Sequence, residues 1–138
     1  MSANAGTIEV KRSGVYRAPA SVDALRKAAG KVKCIWLELP LSAVSNKKQF
    51  LAACAKQLKL PSYFGGNWDA LADCVRDFNW LDATGYVLHI TSPEKFAKAS
   101  ATDYQTALDV FTAAADYWKS KDTAFVVLVD GAGELRAY

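Results

Sequence analysis

The chain has 138 residues, 51% of them hydrophobic and 22% charged, with a formal net charge of +3. That length suits one domain with a real core, the composition excludes disorder, and so mild a basicity does not by itself indicate a nucleic-acid partner. No apolar run approaches the roughly 20 residues that cross a bilayer, and the opening MSANAGTIEVKRSG has no apolar block after its charges, so no secretory signal is read.

Residues 1–6 read as loose, and GVYRAP as a short extended piece after TIEVKR. Ser21 suits an N-cap before VDALRKAAG, a helix of about two turns with Gly30 as its stop. The near-continuous apolar run VKCIWLEL (32–39) predicts a strand buried on both faces, ended by Pro40. A polar turn, LSAVSNK, precedes a helix from Lys47 to Leu58. There Phe50, Leu51, Cys54 and Leu58 recur at helical spacing, and Pro61 closes the segment.

The loop PSYFGG leads into a second helix. GYVLHIT (85–91) predicts another strand, and Ser92-Pro93-Glu94 starts a short helix to about Ala99. A longer helix from Thr102 or Asp103 carries Tyr104, Ala107, Leu108, Phe111, Ala115 and Trp118, before a third strand, TAFVVLV (123–129), and the turn DGAG. Strands alternating with helices predict parallel pairing with right-handed crossovers. The expected fold is α/β and two-layered: a small three-stranded parallel sheet covered by helices.

Cys34, Cys54 and Cys74 show no C-x-x-C spacing, and their odd number without a secretion signal reads as buried thiols in a reducing, cytoplasmic compartment, with one disulfide pair plus a free thiol as the alternative. The single histidine, His89, has no ligand cluster around it, so no metal site and no cofactor are expected.

Charge is unevenly spread. From Leu60 to Leu81 the sole basic residue is Arg76, against Asp69, Asp73 and Asp77, whereas Lys47 to Lys59 holds four lysines and no acid. Asn67 is a strong N-cap type for the helix after Gly66. At about 100° per residue, Trp68, Leu71, Val75 and Phe78 fall within an arc of about 80°, and Asp69, Asp73 and Asp77 within a similar arc almost opposite. Like charges four apart repel by roughly 0.2–0.5 kcal/mol per pair. Asp69 gains from the helix dipole, Asp77 does not, and Arg76 can pair with Asp73. The plain reading is a solvated helix face. The sharper one is a surface that imitates spaced phosphates and fits a cationic active site, since arginines and lysines built for phosphate also bind carboxylate. Tyr63 and Phe64, just before it, are either flat interface anchors or loop residues tucked over the core.

Two other functions compete. Ligands of parallel sheets bind beyond the carboxyl ends of the strands, where Glu38, His89 and Asp130-Gly131 offer acid/base groups for a small α/β enzyme. No nucleophile motif or glycine-rich phosphate loop supports that chemistry. A nucleic-acid-binding module would use Trp36, Trp80, Trp118 and the lysines from 47 to 59, but no binding signature accompanies them.

The stretch LPSYFGGNWDALADCV (60–75) resembles the core motif of the barstar family, intracellular inhibitors of barnase-type ribonucleases. Leu60-Pro61, the aromatics Tyr63 and Phe64, Gly65, Asn67, Asp69-Ala70-Leu71 and Asp73-Cys74 carry the resemblance. The order of elements over roughly residues 32–130 is also similar. The resemblance implies a barstar-like domain over 32–138, with residues 1–31 an N-terminal extension packed on it or preceding it. It implies a non-enzymatic inhibitor whose loop and acidic helix block the active site of a small basic ribonuclease, either barnase-like or a divergent nuclease toxin, with no membrane and no direct nucleic-acid contact.

Carried over residue by residue, Asp73 is the central carboxylate at the phosphate position and Asp69 the second charge-pairing acid. Tyr63 packs on the nuclease, with Phe64 beside it, and Gly65 and Asn67 shape the loop and touch the partner. Trp68 and Arg76 hold contact positions with altered chemistry, Ala72 stands where the family has tryptophan, and Asp77 extends the acidic face. The family's further acid on the last long helix falls near Ala113, where none stands; Asp109 and Asp116 are out of register.

Overall fold

A computed structural model describes residues 7–61, 64–81 and 83–138. The elements in order are β1 (Gly14–Arg17), α1 (Asp23–Lys31), β2 (Cys34–Pro40), α2 (Lys47–Gln57), α3 (Trp68–Val75), β3 (Gly85–Thr91), α4 (Glu94–Ala99), α5 (Ala101–Ser120) and β4 (Ala124–Val129). The strands form one parallel sheet in the order β1-β4-β3-β2.

The fold is α/β with a parallel sheet, but the expectation of three strands is corrected to four. The fourth is β1, the extended piece GVYR, which lies along β4 from Gly14 opposite Val126 to Arg17 opposite Val129. A four-residue strand is too short to display a period, and its partner lies far along the chain. Ser13 secures its start: its hydroxyl accepts the amide N–H of Phe125 at 3.0 Å and donates to the carbonyl of Val10 at 2.7 Å.

Helices cover both faces, so the two-layer expectation is corrected as well. On one face α2, α3, α4 and α5 bury Phe50, Leu71, Phe96 and Phe111 against Leu37, Leu88, Phe125 and Val127. On the other, Leu25 and Ala29 of α1 pack on Tyr16, Val87, Val126 and Leu128. The strand order supplies the reason. The chain crosses the whole sheet from β1 to β2, then returns through β3 to β4. Crossovers of one hand that run in opposite directions must lie on opposite faces.

Chain-local expectations mostly hold, with shifted ends, but β2 is an edge strand and only partly buried rather than covered on both faces, and Val22, not Ser21, stands at the N-cap of α1. Gly30 does not stop α1, which continues to Lys31; the left-handed residue after it is Lys33, at φ 59°. Helix α2 begins at an N-cap that the sequence offered unrecognised, Asn46, whose side chain accepts the Gln49 N–H at 2.9 Å. Among the described residues no helix is long and apolar enough to cross a membrane.

Candidate protein-binding site

Helix α3 is built at both ends. Asn67 Oδ1 accepts the Ala70 N–H at 2.8 Å, which satisfies one of the donors that every helix start leaves open. Gly66, just before, has φ +70°, a left-handed conformation that costs a side chain dearly and glycine little. At Gly65 a Cβ would meet only ordinary contacts, 3.5 Å from Asn67 Nδ2 and 3.8 Å from Ala70 Cβ. The backbone of the loop therefore requires Gly66, a residue the motif comparison passes over; its signal is the Gly-Gly-Asn run. At the far end the indole of Trp118, on α5, donates to the carbonyl of Val75 at 2.7 Å.

The helix is shorter than its apolar stripe predicts. It ends at Val75, and the N–H groups of Asp77 and Phe78 both turn back to the carbonyl of Cys74, at 3.0 and 3.1 Å. Phe78 adopts φ 49°, a conformation that costs a non-glycine residue roughly 1–2 kcal/mol. Its ring is buried among Trp80, Tyr86 and Phe125, with centroids 5.5, 4.8 and 6.1 Å away, and this packing holds it there. Asp77 consequently stands in the turn after the helix, and Asp69 and Asp73 are the acids on the helix itself.

The three carboxylates are exposed, the side chain of Asp73 by 77%. Arg76 reaches Asp73 Oδ1 at 3.1 Å and donates from Nε to the carbonyl of Ala72 at 3.1 Å. Among the described residues neither Asp69 nor Asp77 has an ion-pair partner. The opposite side of the helix buries Leu71, Cys74 and Val75. Burial, then the charges of Asp73 and Asp77, raise the Cys74 thiol above its ordinary value.

Gly65, Asn67 and Arg76 are exposed beside the acids, whereas Phe64, Trp68 and Ala72 are half-buried. Trp68 lies 5.7 Å from Phe50, and Phe64 packs against the core. Tyr63 lies outside the described residues. On α5, Ala113 is exposed, as are Asp109 and Asp116.

The residues named for the two competing functions occupy other places. Glu38 and His89 sit opposite each other in the β2–β3 register, and β4 brings Asp130 alongside. His89 Nδ1 lies 2.9 Å from Glu38 Oε2 and Nε2 lies 2.8 Å from Asp130 Oδ1, with the ring buried. Both nitrogens thus lie within hydrogen-bond distance of a carboxylate. Burial alone would raise the Glu38 carboxyl, but hydrogen bonds from Trp36 and His89 and the charges of His89 and Arg26 outweigh it and hold it below its usual value. Trp36, Trp80 and Trp118 are half-buried, and each indole N–H is spent inside the molecule, on Glu38, Leu58 and Val75 respectively. Cys34, Cys54 and Cys74 are free thiols; Cys54 and Cys74 are buried, but Cys34, expected to be buried, is half-buried. Among the described residues no group of three potential ligands stands ready to hold a metal ion.

Among curated proteins no match to this chain is found. The family model described as Barstar (barnase inhibitor) matches residues 35–130, well over half of the sequence, and spans β2, the acidic helix and β4. An exposed, capped acidic helix behind a glycine loop, on a parallel α/β sheet matched over that length, makes this chain a member of the barstar family.

Proposed function

We propose that this protein is an intracellular inhibitor that blocks the active site of a small basic ribonuclease with Asp69 and Asp73 of α3 and the loop before it. The carrying observation is that these carboxylates stand in solvent, with one exposed arginine beside Asp73, on a helix fixed at both ends. A rigid element loses little freedom on docking, so more of the interaction energy survives as affinity. Clustered acids also steer encounter with a cationic cleft, an advantage that salt removes.

Asp73 takes the position of a substrate phosphate and Asp69 pairs with a neighbouring cation. Gly65, whose missing side chain the free protein does not need, lets the partner approach the backbone closely. Tyr63, Phe64, Asn67, Trp68, Ala72, Arg76 and Asp77 complete the contact surface. No cofactor and no catalysis are involved. The enzyme reading is weakened because both ring nitrogens of His89 are occupied, and the nucleic-acid reading because the three indoles turn inward.

The test is inhibition of a panel of small cationic ribonucleases, barnase among them, by the wild type and by His89→Ala and Asp130→Ala variants. Inhibition that survives the two alanine changes supports a binding function seated on α3. Its loss in folded variants would move the site to the strand ends.

A further inference from the structure

A groove of about 390 Å³ runs beside the acidic helix, between α2 and the glycine loop. Leu51, Ala52, Ala55 and Phe64 give it an apolar lining, Gly66 also lines it, and the exposed Lys47 and Lys48 complete it. Among the described residues neither lysine has a carboxylate partner, and no acid occurs from Lys47 to Lys59. The Lys47 ammonium lies 5.9 Å from the ring of Trp68, so this lysine stands beside the first turn of the acidic helix.

We infer that the groove receives a large apolar side chain flanked by a carboxylate, presented by the same ribonuclease whose cationic cleft takes Asp69 and Asp73. The inference rests on the proposed function for the identity of that partner, and on charge complementarity for the chemistry. An apolar lining beside two cations that lack a carboxylate partner among the described residues favours an apolar group joined to an anion. The adjacent aspartates repel that anion, so it is oriented toward Lys47 and Lys48. Recognition is then two-signed: a cationic cleft on α3, and an acidic-apolar segment beside it. A nuclease basic throughout this region would bring cations against the lysines, and like charges across an interface exclude wrong partners.

Amide chemical shifts of the full chain, titrated with acetyl-Asp-Trp-Asp-amide and with acetyl-Lys-Trp-Lys-amide, decide the groove's chemistry. Shifts centred on Leu51, Ala55, Phe64 and Gly66 are expected with the acidic peptide, at an affinity about tenfold above that for the basic one, or about 1.4 kcal/mol. The preference should reverse in K47E/K48E, and binding should vanish in Ala52→Trp, which fills the groove from an exposed helical position. Absence of shifts, or equal binding of the two peptides, overturns the inference.

Ribonuclease inhibition by the same variants separates it from the proposed function. Inhibition weakened at least about tenfold by Ala52→Trp and by K47E/K48E supports the groove as part of the interface. Inhibition lost with Asp73→Ala but unchanged in those variants overturns the groove and leaves the acidic helix standing. No inhibition by the wild type overturns the proposed function and, with it, the identity of the occupant.

Discussion

The indole of Trp118 donates to the carbonyl of Val75 at 2.7 Å, tying the last turn of the acidic helix to α5. The final carbonyls of a helix have no partner within it, and this bond supplies one from a neighbouring element. Trp118→Phe keeps an aromatic ring but removes the donor. It should cost about 1 kcal/mol, read as a shift in the urea midpoint.

At the other end, Asn67→Ala removes the cap on Ala70. A loss of about 1 kcal/mol is expected, whereas Asn67→Asp should keep most of the stability because aspartate caps about as well as asparagine. Thermal unfolding of the three proteins checks this, with the alanine variant melting lower by about 4 °C.

The two loop glycines should separate stability from binding. Gly66→Ala forces a side chain into φ +70° and should destabilise by roughly 1 kcal/mol. Gly65→Ala meets only ordinary contacts and should leave the unfolding midpoint within about 0.5 kcal/mol. Its effect should appear instead as weaker inhibition of the ribonuclease.

The strand-end cluster should show in the acid limb of stability. The folded Glu38 carboxyl titrates below its ordinary value. Its contribution is therefore present above the unfolded value, near pH 4.3, and is lost as pH falls through the folded one. Urea midpoints at pH 7 and pH 3 should differ more in the wild type than in Glu38→Gln. Equal differences would mean that the carboxylate makes no net contribution.

Much of this architecture can be read from local pattern. The runs at 32–39, 85–91 and 123–129 are long and apolar enough to mark β2, β3 and β4, and Asn67 before an amphipathic stretch marks the start of α3. What local pattern misses depends on contacts between distant residues. Strand β1 has four residues and pairs across the sheet with β4. The end of α3 is set by the burial of Phe78 among Trp80, Tyr86 and Phe125, which overrides a stripe that would continue the helix. Glu38, His89 and Asp130 are visible singly, but only the strand register joins them. At the site, the outward aspartates follow from helical periodicity, whereas the need for Gly66 depends on a backbone angle that composition does not give.

Asp73 provides the most direct test. Its side chain is 77% exposed and its pairing with Arg76 is a surface ion pair, worth under about 1 kcal/mol, so Asp73→Ala should barely alter folding. Against a ribonuclease that the wild type inhibits, the same change should weaken inhibition by about 2–5 kcal/mol, from roughly thirtyfold to several thousandfold, with the loss smaller at high salt. Inhibition constants for the two proteins that agree within experimental error would contradict the account.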